Sequence, residues 1–285
     1  MNFNIQECVK ILLPSIVLPY LRALLITSGV RGRYDSFLEA KKYLKAKGLN
    51  DYSDVKLFED IIDFIEKCRQ EDNKPFALRE FNSNHVYNYP MISALLLSMS
   101  RCREMKKRSA DILDFGGSLG VSWFRNRNLL KEFCGRYCVV EQKCVVDLGK
   151  INVPEIEFFC TVDECLSQGV SRDICIFSSV LQYLDDPIAI IEKITEAGFD
   201  NIIVDRALFA SDKVSPRIAI QYNNDGKGQY PINIMMRDKI LSVILNKGYE
   251  LIAEWPSFDV MPVKTGIKTF NLRSQGFLAS RKQGN

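Results

Sequence analysis

The chain has 285 residues, 47% of them hydrophobic, which is enough for one large domain or for one domain with an appendage. Basic and acidic residues nearly balance, 38 against 35, and this argues against a nucleic-acid-binding protein. The sequence has nine cysteines but no CxxC pair, so we expect reduced, buried thiols in a cytoplasmic protein and no metal site.

The first predicted element is the apolar run at residues 11–26. Its core, ILLPSIVLPYL, contains Pro14 and Pro19 and has 11 residues, whereas a membrane-spanning helix needs about 20. We expect neither a span nor a signal peptide, because no basic leader or small-residue cleavage site accompanies the run. Peripheral contact with the inner face of a membrane, or packing on the protein itself or on a second subunit, both remain open.

Three helical patterns follow in roughly the first 105 residues. They are YDSFLEAKKYLKAKG, SDVKLFEDIIDFIEKCRQ and PMISALLLSMSRCREMKK. No flexible linker separates them from the rest of the chain. We therefore predict that residues 1–105 form a helical cap segment and that residues 106–285 form the main domain.

From residue 110 onward, short β-rich runs alternate with helical runs, a pattern typical of a parallel sheet in an α/β fold. The last two runs are joined by about 20 residues without helical period, which favours an antiparallel hairpin. This ending is similar to the seven-stranded sheet of class I methyltransferases, which is Rossmann-like with an antiparallel last strand. The predicted strands are 111–115, 137–141, 156–159, 173–179, 201–206, 249–255 and 276–281.

The glycine-rich stretch ILDFGGSLG ends the first of these strands. The dinucleotide fingerprint G-x-G-x-x-G fails here, because its first glycine would fall on Phe115. Asp114, Gly116, Ser118 and Gly120 instead resemble the acid-x-G-x-G-x-G turn of S-adenosylmethionine (SAM) enzymes, with serine at the middle glycine. A carboxylate beside the turn suits the cationic methionine end of SAM and would repel a pyrophosphate.

A second acid, Glu141, ends the next strand, 27 residues after Asp114. A carboxylate at this place accepts hydrogen bonds from both ribose hydroxyls of a bound nucleotide, in SAM as in NAD. By itself Glu141 does not choose between the two cofactors. Together with the glycine turn, it favours SAM.

Several further motifs extend the likeness. LDFGGSLG, VVEQ, FSSVLQYLDDP, IIVDR and QYP occur in this order, and over residues 30–281 the chain resembles a family of SAM-dependent methyltransferases. Members of that family are commonly encoded among bacterial O-antigen, capsule and other surface-polysaccharide genes. The resemblance implies a class I fold, SAM as cofactor and a small-molecule or glycan-precursor substrate.

The resemblance also implies roles for individual residues. Around the cofactor it places Asp114, Gly116, Gly117, Ser118, Gly120, Glu141, Gln142, Thr161, Ser178 and Ser179. Gln182 and Tyr183 are expected to face the methyl group or the acceptor. For further acceptor contacts we expect Arg206, Gln221 and Tyr230, the last two from the long segment 207–234, a candidate substrate lid. An arginine there suits a phosphate or a carboxylate.

Transfer to a sugar hydroxyl also needs a group that takes the proton. The candidates are Asp205, at the end of a strand, and His85, the only histidine. Each has a structural alternative: Asp205 can pair with Arg206, and His85 can be a structural or exposed residue. Two other functions remain open. One is a nicotinamide-dependent sugar-modifying enzyme, and the other is a non-catalytic partner subunit with a methyltransferase fold.

Overall fold

A computed structural model describes residues 29–48, 58–71, 88–223 and 228–282. His85 and the apolar run at 11–26 lie outside these ranges, so the predictions about them stay predictions. In the described part of the chain, no helix has both the length and the apolar character needed to cross a membrane.

The described residues form one mixed sheet of ten strands. Its order is β4-β3-β2-β5-β6-β10-β9-β1-β7-β8. The strands are β1 Gly29–Tyr34, β2 Ala110–Phe115, β3 Cys134–Val140, β4 Glu157–Phe159, β5 Ile174–Ser178, β6 Asn201–Ala207, β7 Arg217–Tyr222, β8 Gln229–Ile234, β9 Tyr249–Thr265 and β10 Lys268–Arg281.

The segment from β4 to β9 is the class I methyltransferase sheet. β2, β3, β4, β5 and β6 run parallel, and β10 inserts antiparallel between β6 and β9. The predicted fold class and the predicted closing hairpin are therefore confirmed. The central strands are buried on both faces, and for this reason their sequences read as nearly continuous apolar runs.

Eight helices of the described chain cover the two faces of the sheet. The apolar residues of α2 to α5 pack into one core, and those of α6 to α8 pack into a second core on the opposite face. The helices are α1 Phe37–Ala46, α2 Glu59–Glu71, α3 Tyr89–Lys106, α4 Val121–Leu130, α5 Lys143–Asn152, α6 Val162–Ser167, α7 Pro187–Ala197 and α8 Arg237–Asn246.

The ends of α7 show how the sequence sets these helices. The Asp186 side chain accepts a hydrogen bond from the Ala189 amide at 3.0 Å, and Pro187 occupies the first turn. Gly198 ends the helix with φ = +82°. The stretch DDPIAIIEKITEAG itself carries these end signals: an aspartate that can cap, a proline in the first turn and a glycine after the last turn.

Three strands were not predicted. The segment 207–234 contains β7 and β8, which pair antiparallel with each other, and β1 joins them to β9. In its described part, the candidate lid segment therefore consists largely of strands. The amino-terminal segment, predicted to be helical, contains the strand β1. The sequence does not predict these strands, because GVRGRY contains two glycines and because polar and apolar residues alternate only briefly and irregularly in RIAIQY and QYPINI.

Candidate functional site

A cavity of about 960 Å³ opens at the carboxyl ends of β2, β3, β5 and β6. In open α/β sheets, ligands bind at this edge. Residues from α1, α2, α4, β7 and β8 complete its walls. The volume lies at the upper end of the range of small-molecule sites, about 300–1,000 Å³, so the cavity has room for more than one small ligand.

The glycine turn connects β2 to α4 and forms the floor of the cavity. Gly116 has φ = +70°, and a Cβ atom there would lie 2.3 Å from the Val180 side chain, so only glycine fits. Ser118 has φ = +53°, which is uncommon for a residue with a side chain. Its Oγ is buried and has no hydrogen-bond partner among the described residues. Gly116, Gly117 and Ser118 all line the cavity.

Asp114 lies beneath this turn and not in the cavity wall. Its Oδ2 accepts a hydrogen bond from the Tyr137 hydroxyl at 2.6 Å, and a Cβ atom at Gly117 would lie 2.6 Å from the carboxylate. Burial raises the pKa of Asp114 to about 7, against the hydrogen bond from Tyr137, which lowers it. From this position Asp114 supports the turn from behind, and its predicted direct contact with SAM stays a prediction.

Glu141 stands in the cavity wall, directly after β3. Its Oε1 accepts a hydrogen bond from the Ser118 amide at 3.3 Å, and its Oε2 accepts one from the Gln142 amide at 2.8 Å. Burial raises the pKa of Glu141, and the two backbone hydrogen bonds counteract this shift. Gln142 and Thr161 line the cavity beside it, and their predicted contacts with the cofactor stay predictions. Thr161 also caps α6 by accepting from the Glu164 amide.

Two left-handed residues stand side by side where β5 and β6 end. Ser179 has φ = +57° and Arg206 has φ = +51°, and the Ser179 amide donates to the Asp205 carbonyl at 2.9 Å. The Gln182 amide group donates to Ser179 Oγ at 3.3 Å and to the Arg206 carbonyl at 3.2 Å. Such backbone is costly, and it often marks functional sites. Ser178, Ser179 and Arg206 line the cavity, whereas Gln182 is buried behind its wall.

Asp205 is fully buried and surrounded by hydrogen-bond donors. Its Oδ1 accepts from Trp255 Nε1 at 2.9 Å and from Ser257 Oγ at 3.2 Å. Its Oδ2 accepts from Asn88 Nδ2 at 2.5 Å and from Ser178 Oγ at 3.3 Å. Both carboxylate oxygens are thus occupied, and the side chain does not line the cavity. Asp205 therefore connects strands from a buried position, a geometry that lends no support to its predicted role as a proton acceptor.

The opposite end of the cavity carries aromatic and amide side chains. The Tyr183 hydroxyl donates to Gln221 Oε1 at 2.8 Å, and the rings of Tyr183 and Tyr230 meet edge to face with centroids 6.2 Å apart. Arg206 lies over the Phe258 ring at 5.8 Å. The structure therefore brings together the predicted acceptor residues Tyr183, Arg206, Gln221 and Tyr230.

Four of the predicted residues do not line the cavity. Gly120 caps α4, and a Cβ atom there would lie 2.3 Å from Ile156; the other three are Asp114, Gln182 and Asp205. Lys41, Asn88, Arg125 and Phe258 also line the cavity, although their sequence context does not single them out as site residues. For Arg125 a signal existed, because it lies four residues after Val121 and so shares a helix face with the start of α4.

Comparisons with known proteins were made on sequence and on structure. No protein-family model and no curated protein sequence matches the chain. Among solved structures, it is similar to 1,6-didemethyltoxoflavin-N1-methyltransferase from Burkholderia thailandensis, with 13% identity over 90% of this chain and 94% of that one, and a TM-score of 0.40. It is also similar to CalS10, an amino pentose methyltransferase from Micromonospora echinaspora, with 12% identity over 67% and 92% of the two chains and a TM-score of 0.41. The fold assignment given above depends on the strand order of this chain.

Proposed function

We propose that the protein is a SAM-dependent methyltransferase that methylates a hydroxyl of a sugar or glycan precursor in surface-polysaccharide synthesis. The observation that carries the proposal is the pairing of Glu141 with the Ser118 amide in the cavity wall, at the edge of the sheet where the glycine turn ends. The sequence motifs that resemble the surface-polysaccharide family support the acceptor class.

The residues present fit SAM. The Glu141 carboxylate can accept hydrogen bonds from the two ribose hydroxyls, and the buried Ser118 Oγ, which has no partner among the described residues, could pair with a ligand. Thr161 and Val162 line the side on which the base would lie. When bound, SAM supplies a methyl group on a sulfonium: the acceptor oxygen forms the new bond with its lone pair while the S–CH₃ bond breaks, and that electron pair stays on sulfur.

The chain contributes alignment and exclusion of water to this reaction. Tyr183 and Tyr230 form a rigid apolar wall for a sugar ring, and Gln221 can make directional hydrogen bonds. The acceptor hydroxyl must also lose its proton. Burial raises the pKa of Tyr183 to about 12, so this phenol stays protonated and does not take it. Of the candidates considered from the sequence, His85 remains.

Thermal denaturation in the presence of SAM, S-adenosylhomocysteine (SAH) or NAD tests the proposal. We expect SAM and SAH to raise the melting temperature and NAD to leave it unchanged. Glu141→Gln should weaken SAH binding about tenfold or more, because a charge-assisted hydrogen bond contributes about 1.5–3 kcal/mol. Glu250→Gln, at an exposed position of β9 outside the cavity, is the matched control.

Two results would contradict the proposal. Stabilisation by NAD and not by SAM would favour the nicotinamide-dependent enzyme. A protein that binds neither cofactor, yet copurifies with a glycosyltransferase, would favour the partner subunit.

A further inference from the structure

The charged side chains that line the cavity are mostly basic. If the proposed function is correct, this indicates the charge of the methyl acceptor. In the described chain the wall carries one carboxylate, Glu141, and four cations: Lys41, Arg125, Lys193 and Arg206. Lys193 pairs with Asp163 at 2.5 Å. Glu141 belongs to the proposed cofactor half, which leaves Lys41, Arg125 and Arg206 in the wall with no second carboxylate among the described lining residues.

Arg125 has no ion pair within the described ranges. Its guanidinium lies 5.3 Å from the centre of the Phe64 ring, a contact that orients the group but leaves its hydrogen-bond donors free for a ligand. Partial burial and then the charge of Arg206 lower the pKa of Arg125. The two guanidinium groups line the same cavity, closely enough for their charges to interact.

Arg206 is held in place from several sides. Its Nε and Nη2 lie 3.4 and 3.3 Å from Ser178 Oγ, and Phe258 stacks beneath it. Arg206 forms ion pairs with the carboxylates of Asp205 and Asp259, each at 3.6 Å, which is too long for a hydrogen bond. Asp205 is already occupied by four other donors. The Arg206 guanidinium is thus pre-organised, with N–H groups still able to donate.

We propose that the methyl acceptor carries an oxyanion, a phosphate or a carboxylate, which lies between Arg125 and Arg206. Two guanidinium groups are well suited to the paired oxygens of such a group. The charges agree at Arg125: it has no ion-pair partner among the described residues, bound SAM would add a net positive charge to the same cavity, and an anionic acceptor would offset both. Tyr183 and Tyr230 would then receive the sugar ring that bears the anion.

The test uses the full chain saturated with SAH and three probes, glucose 1-phosphate, glucuronate and glucose, measured by calorimetry. We expect an anionic probe to bind at least tenfold more tightly than glucose. The comparison of glucose 1-phosphate with glucuronate distinguishes a phosphate from a carboxylate. Arg125→Gln and Arg206→Gln should each remove this preference while SAH affinity stays within about twofold of the parent.

Arg101→Gln is the matched control, since Arg101 is exposed on α3 and does not line the cavity. Melting curves establish that each variant folds. Equal binding of charged and neutral probes would overturn the inference. So would a loss of SAH binding in Arg125→Gln, which would assign that arginine to the cofactor. If the parent protein does not bind SAH at all, the proposed function fails, and this is known before any sugar is added.

Discussion

At the scale of single residues, two buried aspartates differ most from what the sequence suggests. Asp114 and Asp205 both lie near the ligand-binding edge of the sheet, and such a position suggests contact with ligand. In the structure both face inward, toward Tyr137 in one case and toward Trp255 and Ser257 in the other. The direction of a side chain at a strand end depends on the pleat and twist of the sheet. The amino-acid sequence alone does not determine these.

Asp114 gives a prediction about pH. Because its pKa in the folded protein is about 7, above the usual 3.8, the native state holds this proton more tightly than the unfolded state. Its stabilising contribution is complete below pH 3.8 and is lost as pH rises through about 7. Asp114→Asn should remove this loss, which is at most about 1.4 kcal/mol per pH unit.

Urea denaturation from pH 4 to pH 8 measures the effect as a difference between the parent and Asp114→Asn. The exposed Asp212→Asn serves as control and should follow the parent. Parallel curves for the parent and Asp114→Asn would contradict the raised pKa.

At the scale of elements, the helix limits and the central strands follow from local chemistry, as Asp186, Pro187 and Gly198 show. The strands β1, β7 and β8 do not, because each is short and gains its stability from pairing with residues far away in sequence. Their prediction requires knowledge of the tertiary pairing. The same holds for Gln221 and Tyr230, which reach the cavity because β7 and β8 extend the sheet.

Gly116 supplies a test of the turn as an element. Gly116→Ala introduces a left-handed alanine and a clash with Val180, whereas Gly169→Ala, at φ = +75° with no atom within 4 Å, introduces the strain alone. We expect Gly169→Ala to cost about 1 kcal/mol in unfolding free energy and Gly116→Ala about 1–3 kcal/mol more.

SAH affinity separates the two variants further, since the first reshapes the cavity floor and the second should leave binding unchanged. Shortening the clashing side chain in Gly116→Ala/Val180→Ala should recover part of the lost stability. An equal effect of the two single substitutions would mean that Val180 does not confine the turn.

At the scale of the whole molecule, one sheet carries both ends of the cavity. The proposed cofactor residues follow β2, β3 and β4, while Gln221 and Tyr230 stand on β7 and β8, at the other side of the sheet. Hydrogen exchange should separate these regions. We expect SAH to slow exchange at residues 116–120 and 160–162 and to leave residues 229–234 unchanged, as measured by mass spectrometry. If SAH protected only β8, it would bind at the end of the cavity that we assign to the acceptor, which would contradict the proposal.

Ser118 carries a consequence for engineering. The protein keeps a left-handed serine with an unpartnered buried hydroxyl where glycine would relax the chain, so Ser118→Gly is expected to make the ligand-free protein more heat-resistant. A screen that rewards only survival at high temperature would thus favour changes in the loop that we propose to contact the ligand. At this position, selection for thermal stability would favour glycine, whereas selection for catalytic turnover would favour serine.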